Sequence, residues 1–306
     1  MPIVERSKRD KADHKFITAE PSASASLVQA RLEAAWARWT APTQSEAESW
    51  LRRSEEKFPD EHPPDAYWTE GSSESFVDFF AWGHNHDFGH GVSRSGAMGP
   101  RHIEIIGECM EYGLLPTDLS GMNILNVGCW SGGDLLLLSG LGAQLTAIEE
   151  HKKSAASAEF LCDLVGANCT ILTDSLFSDR QDWAGKFDVV YCSGVIYHVT
   201  DPLLLCRIAF AYLKPGGRLI LETKAIDAPG SLSGYSGTLE YGWNWYAPNE
   251  EVLGRWLVDA GFPIEDVRLR RRENGRLLSG SVKKEATPLP ERAGFSRPGS
   301  WLEGRV

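Results

Sequence analysis

Short apolar runs alternate through the middle of the chain with longer segments in which apolar residues recur at helical spacing. Asn123 to Val127, Gln144 to Ile148, Cys169 to Leu172, Phe187 to Cys192 and Arg218 to Thr223 read as strands. Between them, the run beginning at Leu135, Ser154 to Val165 and Pro202 to Leu213 read as helices, the last leading into the turn Lys214-Pro215-Gly216-Gly217. Strands that are apolar throughout are buried on both faces, and strands alternating with helices at this spacing form a mostly parallel sheet through right-handed crossovers. The pattern therefore predicts an α/β fold with a doubly wound, Rossmann-like sheet. Downstream come a Gly/Ser loop from Gly230 to Gly237, an aromatic segment from Tyr241 to Tyr246, a helix from Asn249 to Ala260, and two late strands, Glu265 to Arg271 and Arg276 to Val282.

Upstream, Leu27, Leu32, Trp36 and Trp39 mark a helix over Ala25 to Trp39. Thr43 to Glu46 reads as the cap of a second helix carrying Trp50 and Leu51, ended by the proline-rich stretch Pro59 to Pro64. An aromatic segment, Phe76 to Trp82, enters the glycine- and histidine-rich loop Gly83 to Gly91, and Arg101 to Tyr112 is a further helix. The expected organisation is a mobile tail over residues 1–24, a helical appendage and loop over 25–95, the main domain over 96–283 and a tail over 284–306.

With 306 residues and 42% apolar content, the chain can fill a sizeable core. No apolar run is long enough to span a bilayer and the N-terminus has no apolar signal core, which predicts a cytoplasmic protein. The six cysteines form no Cys-x-x-Cys pair and read as reduced core residues. A net charge of −11 argues against a broad nucleic-acid footprint and favours a small-molecule acceptor, while a homo-oligomer is compatible with the sequence.

The chemistry gathers at Asn126-Val127-Gly128-Cys129-Trp130-Ser131-Gly132, where a strand enters a tight turn and a helix. A dinucleotide site needs glycine at the position held by Trp130, so that the backbone can approach a pyrophosphate. A bulky residue there suits a ligand without phosphates, such as S-adenosylmethionine, whose amino-acid end lies along the turn. Glu149, 21 residues after Gly128 and at the tip of the second strand, is placed to bind both ribose hydroxyls, and Asp174 at the third strand's end to accept from an adenine amino group.

From this turn through Phe187-Asp188-Val189-Val190 to Lys214-Pro215-Gly216-Gly217-Arg218, the chain resembles the class I S-adenosylmethionine-dependent methyltransferases. The segment Ser193-Gly194-Val195-Ile196-Tyr197-His198, with Leu221-Glu222-Thr223, is similar to the branch that holds the tRNA wobble-uridine carboxymethyltransferases and many small-molecule methyltransferases. The resemblance implies a cofactor site built from Gly128, Cys129, Trp130 and Gly132 at the methionine end, Glu149 on the ribose, Asp174 and Ser175 at the adenine, and Ser193, Gly194 and Tyr197 beneath the sulfonium. It also implies Arg101 as partner of the cofactor carboxylate. Two departures stand out. Asn126 replaces the usual acid, keeping hydrogen-bonding capacity but no charge. The stretch from Trp82 to Pro100 lacks the lysine with which carboxymethyltransferases hold their modified cofactor, so ordinary methyl transfer is expected.

Methyl transfer from a sulfonium is an in-line displacement that needs alignment and, for a hydroxyl acceptor, a base. His198, just beyond the fourth strand, is the expected base, or else a residue that packs under its loop. His84, His86 and His90 are expected to shape the acceptor pocket, without a resident metal, and Trp243 and Trp245 to offer faces for stacking on the acceptor. The arginine run Arg268 to Arg272 reads as a solvated strand face. Oxygen is the favoured acceptor atom and nitrogen the alternative. A tRNA-modifying (carboxy)methyltransferase and a non-catalytic cofactor-binding module are the competing readings.

Overall fold

The computed structural model describes residues 16–61, 79–178, 180–237 and 244–284. Its centre is an eight-stranded sheet of β1 (Ile17–Thr18), β4 (Asn123–Val127), β5 (Gln144–Ile148), β6 (Cys169–Leu172), β7 (Phe187–Ser193), β8 (Leu213–Thr223), β11 (Val267–Arg271) and β12 (Leu277–Val282), in the order β1-β11-β12-β8-β7-β4-β5-β6, while β9 (Ser233–Tyr235) and β10 (Tyr246–Pro248) form a separate antiparallel pair. The five strands from β8 to β6 are parallel. β12 runs antiparallel between β8 and β11. The order reverses at β4, so the C-terminal ends of β4 and β7 open a crevice, the place where ligands bind in open α/β sheets.

Helices cover both faces. α1 (Ala25–Ala37), α3 (Arg101–Glu111), α4 (Gly133–Gly140) and α5 (Lys152–Val165) lie on one side, with α2 (Gln44–Lys57) packed outside them, and α6 (Pro202–Tyr212) and α7 (Glu250–Ala260) lie on the other. Because side chains alternate along a strand, Ile124, Val189, Tyr191 and Ile220 join the first layer, and Leu125, Val127, Val190 and Leu221 the second. Asn126 and Glu222 therefore share the face with Ile124 and Ile220, beneath the N-terminal helices.

The second helix begins as its sequence predicts. The Thr43 hydroxyl accepts from the Glu46 N–H (3.3 Å), capping the helix, and donates to the Glu46 carboxylate (2.8 Å). The first helix stops at Ala37, two residues short of the expectation. The late strands start at Val267 and Leu277 because Ile264 to Asp266 form a single 3₁₀ turn and Arg276 lies in the connecting turn. The Lys214 to Gly217 turn is taken into the start of β8, with the ladder to β7 shifting register there.

Two expectations are corrected. Residues 16–24 are not tail: Ile17 and Thr18 pair in parallel with Arg268 and Leu269, and the Phe16 ring fills the space over Gly254 on α7. An unpaired sheet edge is a template for another strand, and Ile17–Thr18 takes it up beside β11. The histidine-rich segment is not an open loop, since β2 (His86–Gly89) and β3 (Val92–Arg94) form a hairpin, with His90 at its tip in the left-handed region (φ 55°). Residues 1–15, 62–78, 179, 238–243 and 285–306 lie outside the described residues, and with them parts of the Pro59 to Pro64 stretch, of the Phe76 to Trp82 segment and of the Tyr241 to Tyr246 segment, Trp243 included. Among the described residues no helix is long and apolar enough to cross a membrane.

Candidate active site

The glycine turn joins the C-terminal end of β4 to α4. Gly128 has φ 70° and its N–H donates to Ile148 O (2.9 Å), while Gly132 caps α4 with φ 84°. Only glycine holds these dihedrals without strain, and a Cβ on Gly128 would also meet Val195 Cγ2 at 2.4 Å. Trp130 adopts φ 44° despite its bulk; its indole Nε1 donates to Phe80 O (3.0 Å) and the ring lies on the bare face of Gly83. Cys129 is buried in the core.

Glu149 sits at the tip of β5, where the sequence places it. One carboxylate oxygen accepts from the Trp130 N–H and the other from the His151 N–H, both at 2.9 Å. Each oxygen keeps a lone pair for a ligand hydroxyl. Burial pushes its pKa up, and the two N–H bonds act against that shift. Asp174, just beyond β6, is already engaged: it accepts from the Ser178 hydroxyl (2.8 Å) and the Ser175 N–H (2.7 Å), and Arg180 pairs with its second oxygen. These contacts hold its pKa below the usual carboxylate range, the Ser178 bond foremost. The Ser175 hydroxyl bonds to Glu150.

At the end of β7, Ser193 and Gly194 are part-exposed to the crevice, and Gly194 (φ 72°) has nothing nearer its vacant Cβ position than the Tyr197 hydroxyl at 3.8 Å. Tyr197 is half-buried and His198 exposed on the 3₁₀ turn Ile196–His198, their rings 4.0 Å apart. The Trp245 N–H donates to Tyr197 O (2.8 Å), which brings the insertion after β8 over the same tip. Arg101 opens α3 and bears electrostatically on both His84 and Tyr197.

The three histidines of the N-terminal segment do not gather in the crevice, which corrects their expected role. His86 faces the core, 4.8 Å from the Trp36 ring and 4.7 Å from Phe88, and the exposed His90 ring bonds Ala41 O (2.9 Å). Only His84 reaches the site, its ring against Gly133 and stacked at 4.5 Å on His102 of α3. Burial lowers the pKa of His86 to about 3. His102 falls to about 2, from burial and then the neighbouring His84 and His86. Among the described residues no three His, Cys, Asp or Glu side chains are arranged to hold a metal ion.

The buried histidines give stability a pH dependence of definite sign. Below about pH 6.5 the unfolded chain takes up protons that the folded chain refuses, so these groups remove stability as pH falls towards their folded values of about 3 and about 2. Asp134, raised to about 7 by burial and by Glu222, has the opposite sign over the same window. Replacing His86 with phenylalanine isolates one contribution. Relative to the native chain, the variant should gain about 1.4 kcal/mol for each pH unit lowered below about pH 6.5, read by urea denaturation.

Sequence reasoning named Asn126 but gave no role to Glu222, Arg276 or Asp134, which join it as buried or half-buried polar groups of the site. Glu222, 2% exposed at the end of β8, holds the Arg276 guanidinium through both carboxylate oxygens, and Arg276 lies 5.0 Å over the Tyr197 ring. Asp134 in the first turn of α4 and Asn126 on β4 are buried, and Asp134 Oδ1 and both Asn126 amide atoms lack hydrogen-bond partners among the described residues. A glutamate closing the otherwise apolar run Leu219 to Leu221 was the available signal.

The strand order, with its one antiparallel strand beside β8, and a glycine turn facing a carboxylate at the next strand tip define a class I methyltransferase fold. The family model described as a methyltransferase domain matches residues 108–267. The chain belongs to that family, and to its S-adenosylmethionine-dependent class. It is 32% identical over 171 residues to a ubiquinone biosynthesis O-methyltransferase of Xanthomonas euvesicatoria, covering 52% of this chain and 70% of that protein. It is 33% identical over 153 residues to a tRNA U34 carboxymethyltransferase of Hydrogenovibrio crunogenus, 48% of this chain and 46% of that one. Among solved structures, the N-terminal domain of EvdMO1 with S-adenosylhomocysteine bound superposes with a TM-score of 0.49 and 18% identity, over 77% of this chain and 94% of that chain.

The residues present fit the cofactor of this class, S-adenosyl-L-methionine. The open face of Gly194, the acceptor capacity left on Glu149 and the unpaired buried amide of Asn126 supply what a sulfonium, a ribose diol and an amino-acid end require.

Proposed function

We propose that the chain transfers a methyl group to a hydroxyl of a small-molecule acceptor. The observation that carries this reading is the juxtaposition at the switch of strand order. Glu149 faces the glycine turn, and the β7 tip with Gly194, Tyr197 and His198 stands across the crevice from it. In this reading Glu149 holds the ribose, while Asn126 and Arg101 meet the amino-acid end. Asp174 and Ser175 serve the adenine, with Asp174 sharing its oxygens between Arg180 and the ligand. S-adenosylmethionine supplies the methyl group. His198, open to solvent on its 3₁₀ turn, takes the hydroxyl proton as the acceptor oxygen attacks, and Trp245 borders the acceptor. The relative acting in ubiquinone biosynthesis supports oxygen as the acceptor atom.

A tRNA acceptor is the second reading, favoured by the similarity to the tRNA U34 carboxymethyltransferases, of which the chain spans about half. The net charge of −11 weighs against it. The deciding assay supplies isotope-labelled S-adenosylmethionine with separate panels of phenols, sugars and amines and with bulk tRNA. Label in a hydroxyl compound is the expected result, and label in tRNA alone overturns this reading in favour of the second.

A further inference from the structure

The cofactor turn is held from outside the segment that matches the family. Gly83 lies 25 residues before that segment begins, buried in the loop that precedes the β2–β3 hairpin. A Cβ on Gly83 would stand 2.4 Å from Trp130 Cδ2 and 2.6 Å from Cε2 and Cε3, so the indole rests directly on the glycine backbone. Two hydrogen bonds frame this contact: the Gly83 N–H donates to Ser131 Oγ (2.8 Å) and Trp130 Nε1 donates to Phe80 O (3.0 Å). The Gly83 carbonyl in turn accepts from the Met98 N–H (2.8 Å), fastening the loop to the residues that lead into α3.

Trp130 is held at φ 44°, a strained conformation for a bulky residue that persists only where its surroundings impose it. Held so, its backbone N–H points at Glu149 Oε2, at 2.9 Å. The φ of Gly83 lies outside the left-handed region, so its need for a bare α-carbon comes from the indole and not from its own φ. The contacts thus run from Gly83 through the indole and the strained Trp130 backbone to the carboxylate at the β5 tip.

We infer that Gly83 is a positioning residue for the cofactor ribose: by seating the Trp130 ring it keeps the Trp130 N–H on Glu149 and so aims the carboxylate at the crevice. The inference rests on the reading of Glu149 as the ribose ligand. It makes the N-terminal appendage part of the cofactor site although it need not touch the cofactor.

The test is a double-mutant cycle read by calorimetric titration of the full chain with S-adenosylhomocysteine. Gly83→Ala, which pushes the indole away, should weaken binding by at least about tenfold, and the same change added to Glu149→Ala should cost less than about twofold. A merely structural role would give equal losses in both backgrounds, and that result, or binding by Gly83→Ala within about twofold of the native chain, overturns the inference. Trp130→Ala, which removes the indole without crowding, runs through the same cycle with the same expectation, and decides the matter if Gly83→Ala does not fold. A native chain that binds no S-adenosylhomocysteine would instead overturn the reading of the site, and this inference with it.

Discussion

Replacing His198 with alanine should lower turnover by roughly 10²- to 10⁴-fold, the usual cost of a lost general base, while leaving affinity for S-adenosylhomocysteine within about threefold. The imidazole is exposed beside the Tyr197 ring, 4.0 Å away, so its removal should lower turnover far more than it lowers the melting temperature. The effect therefore separates chemistry from stability. A fall of less than about tenfold across roughly pH 6 to 9 would assign proton removal to another group. His86, buried against Trp36 and Phe88, and His90, bonded to Ala41 O at the hairpin tip, do not face the crevice. His84 and Tyr197 would be next, since both border the site.

Glu149→Ala should weaken the binding of S-adenosylhomocysteine by about 1–3 kcal/mol, roughly 5- to 150-fold. The loss has two parts. The ribose hydroxyls lose a charged acceptor in a partly desolvated crevice, and the N–H groups of Trp130 and His151 lose the partner that ties the glycine turn to the β5 tip. Glu149→Gln separates them: its amide oxygen can keep one N–H and one hydroxyl, so it should fall between the native chain and the alanine variant in titration. Unchanged affinity in a folded Glu149→Ala chain would move the ribose away from this strand tip.

The parts of the site legible in the sequence are those fixed by backbone pattern. A strand entering glycines sets the turn, and the next strand's length sets where Glu149 falls; no long-range contact is needed to place either. What escaped depends on side-chain direction and distant pairing. His84, His86 and His90 read as a cluster by spacing, yet alternation along β2 puts His86 with Phe88 in the core, and glycines on both sides of His90 mark a turn tip. The resemblance implies Trp130 at the methionine end, and no sequence pattern shows that its indole lies on Gly83 while its N–H donates to Glu149. The Glu222–Arg276 pair joins residues 54 positions apart, and local periodicity gives no sign of it. The pairing of β1 beside β11 is invisible for the same reason, since Ile17–Thr18 is too short to show a pattern.

The most direct test of the account is a crystal structure of the chain with S-adenosylhomocysteine. The ribose hydroxyls should lie at about 2.6–3.2 Å from the Glu149 carboxylate, with the sulfur over Gly194 and facing the Tyr197–His198 turn. A ligand bound away from the β4–β7 crevice, or one whose ribose makes no contact with Glu149, would contradict it.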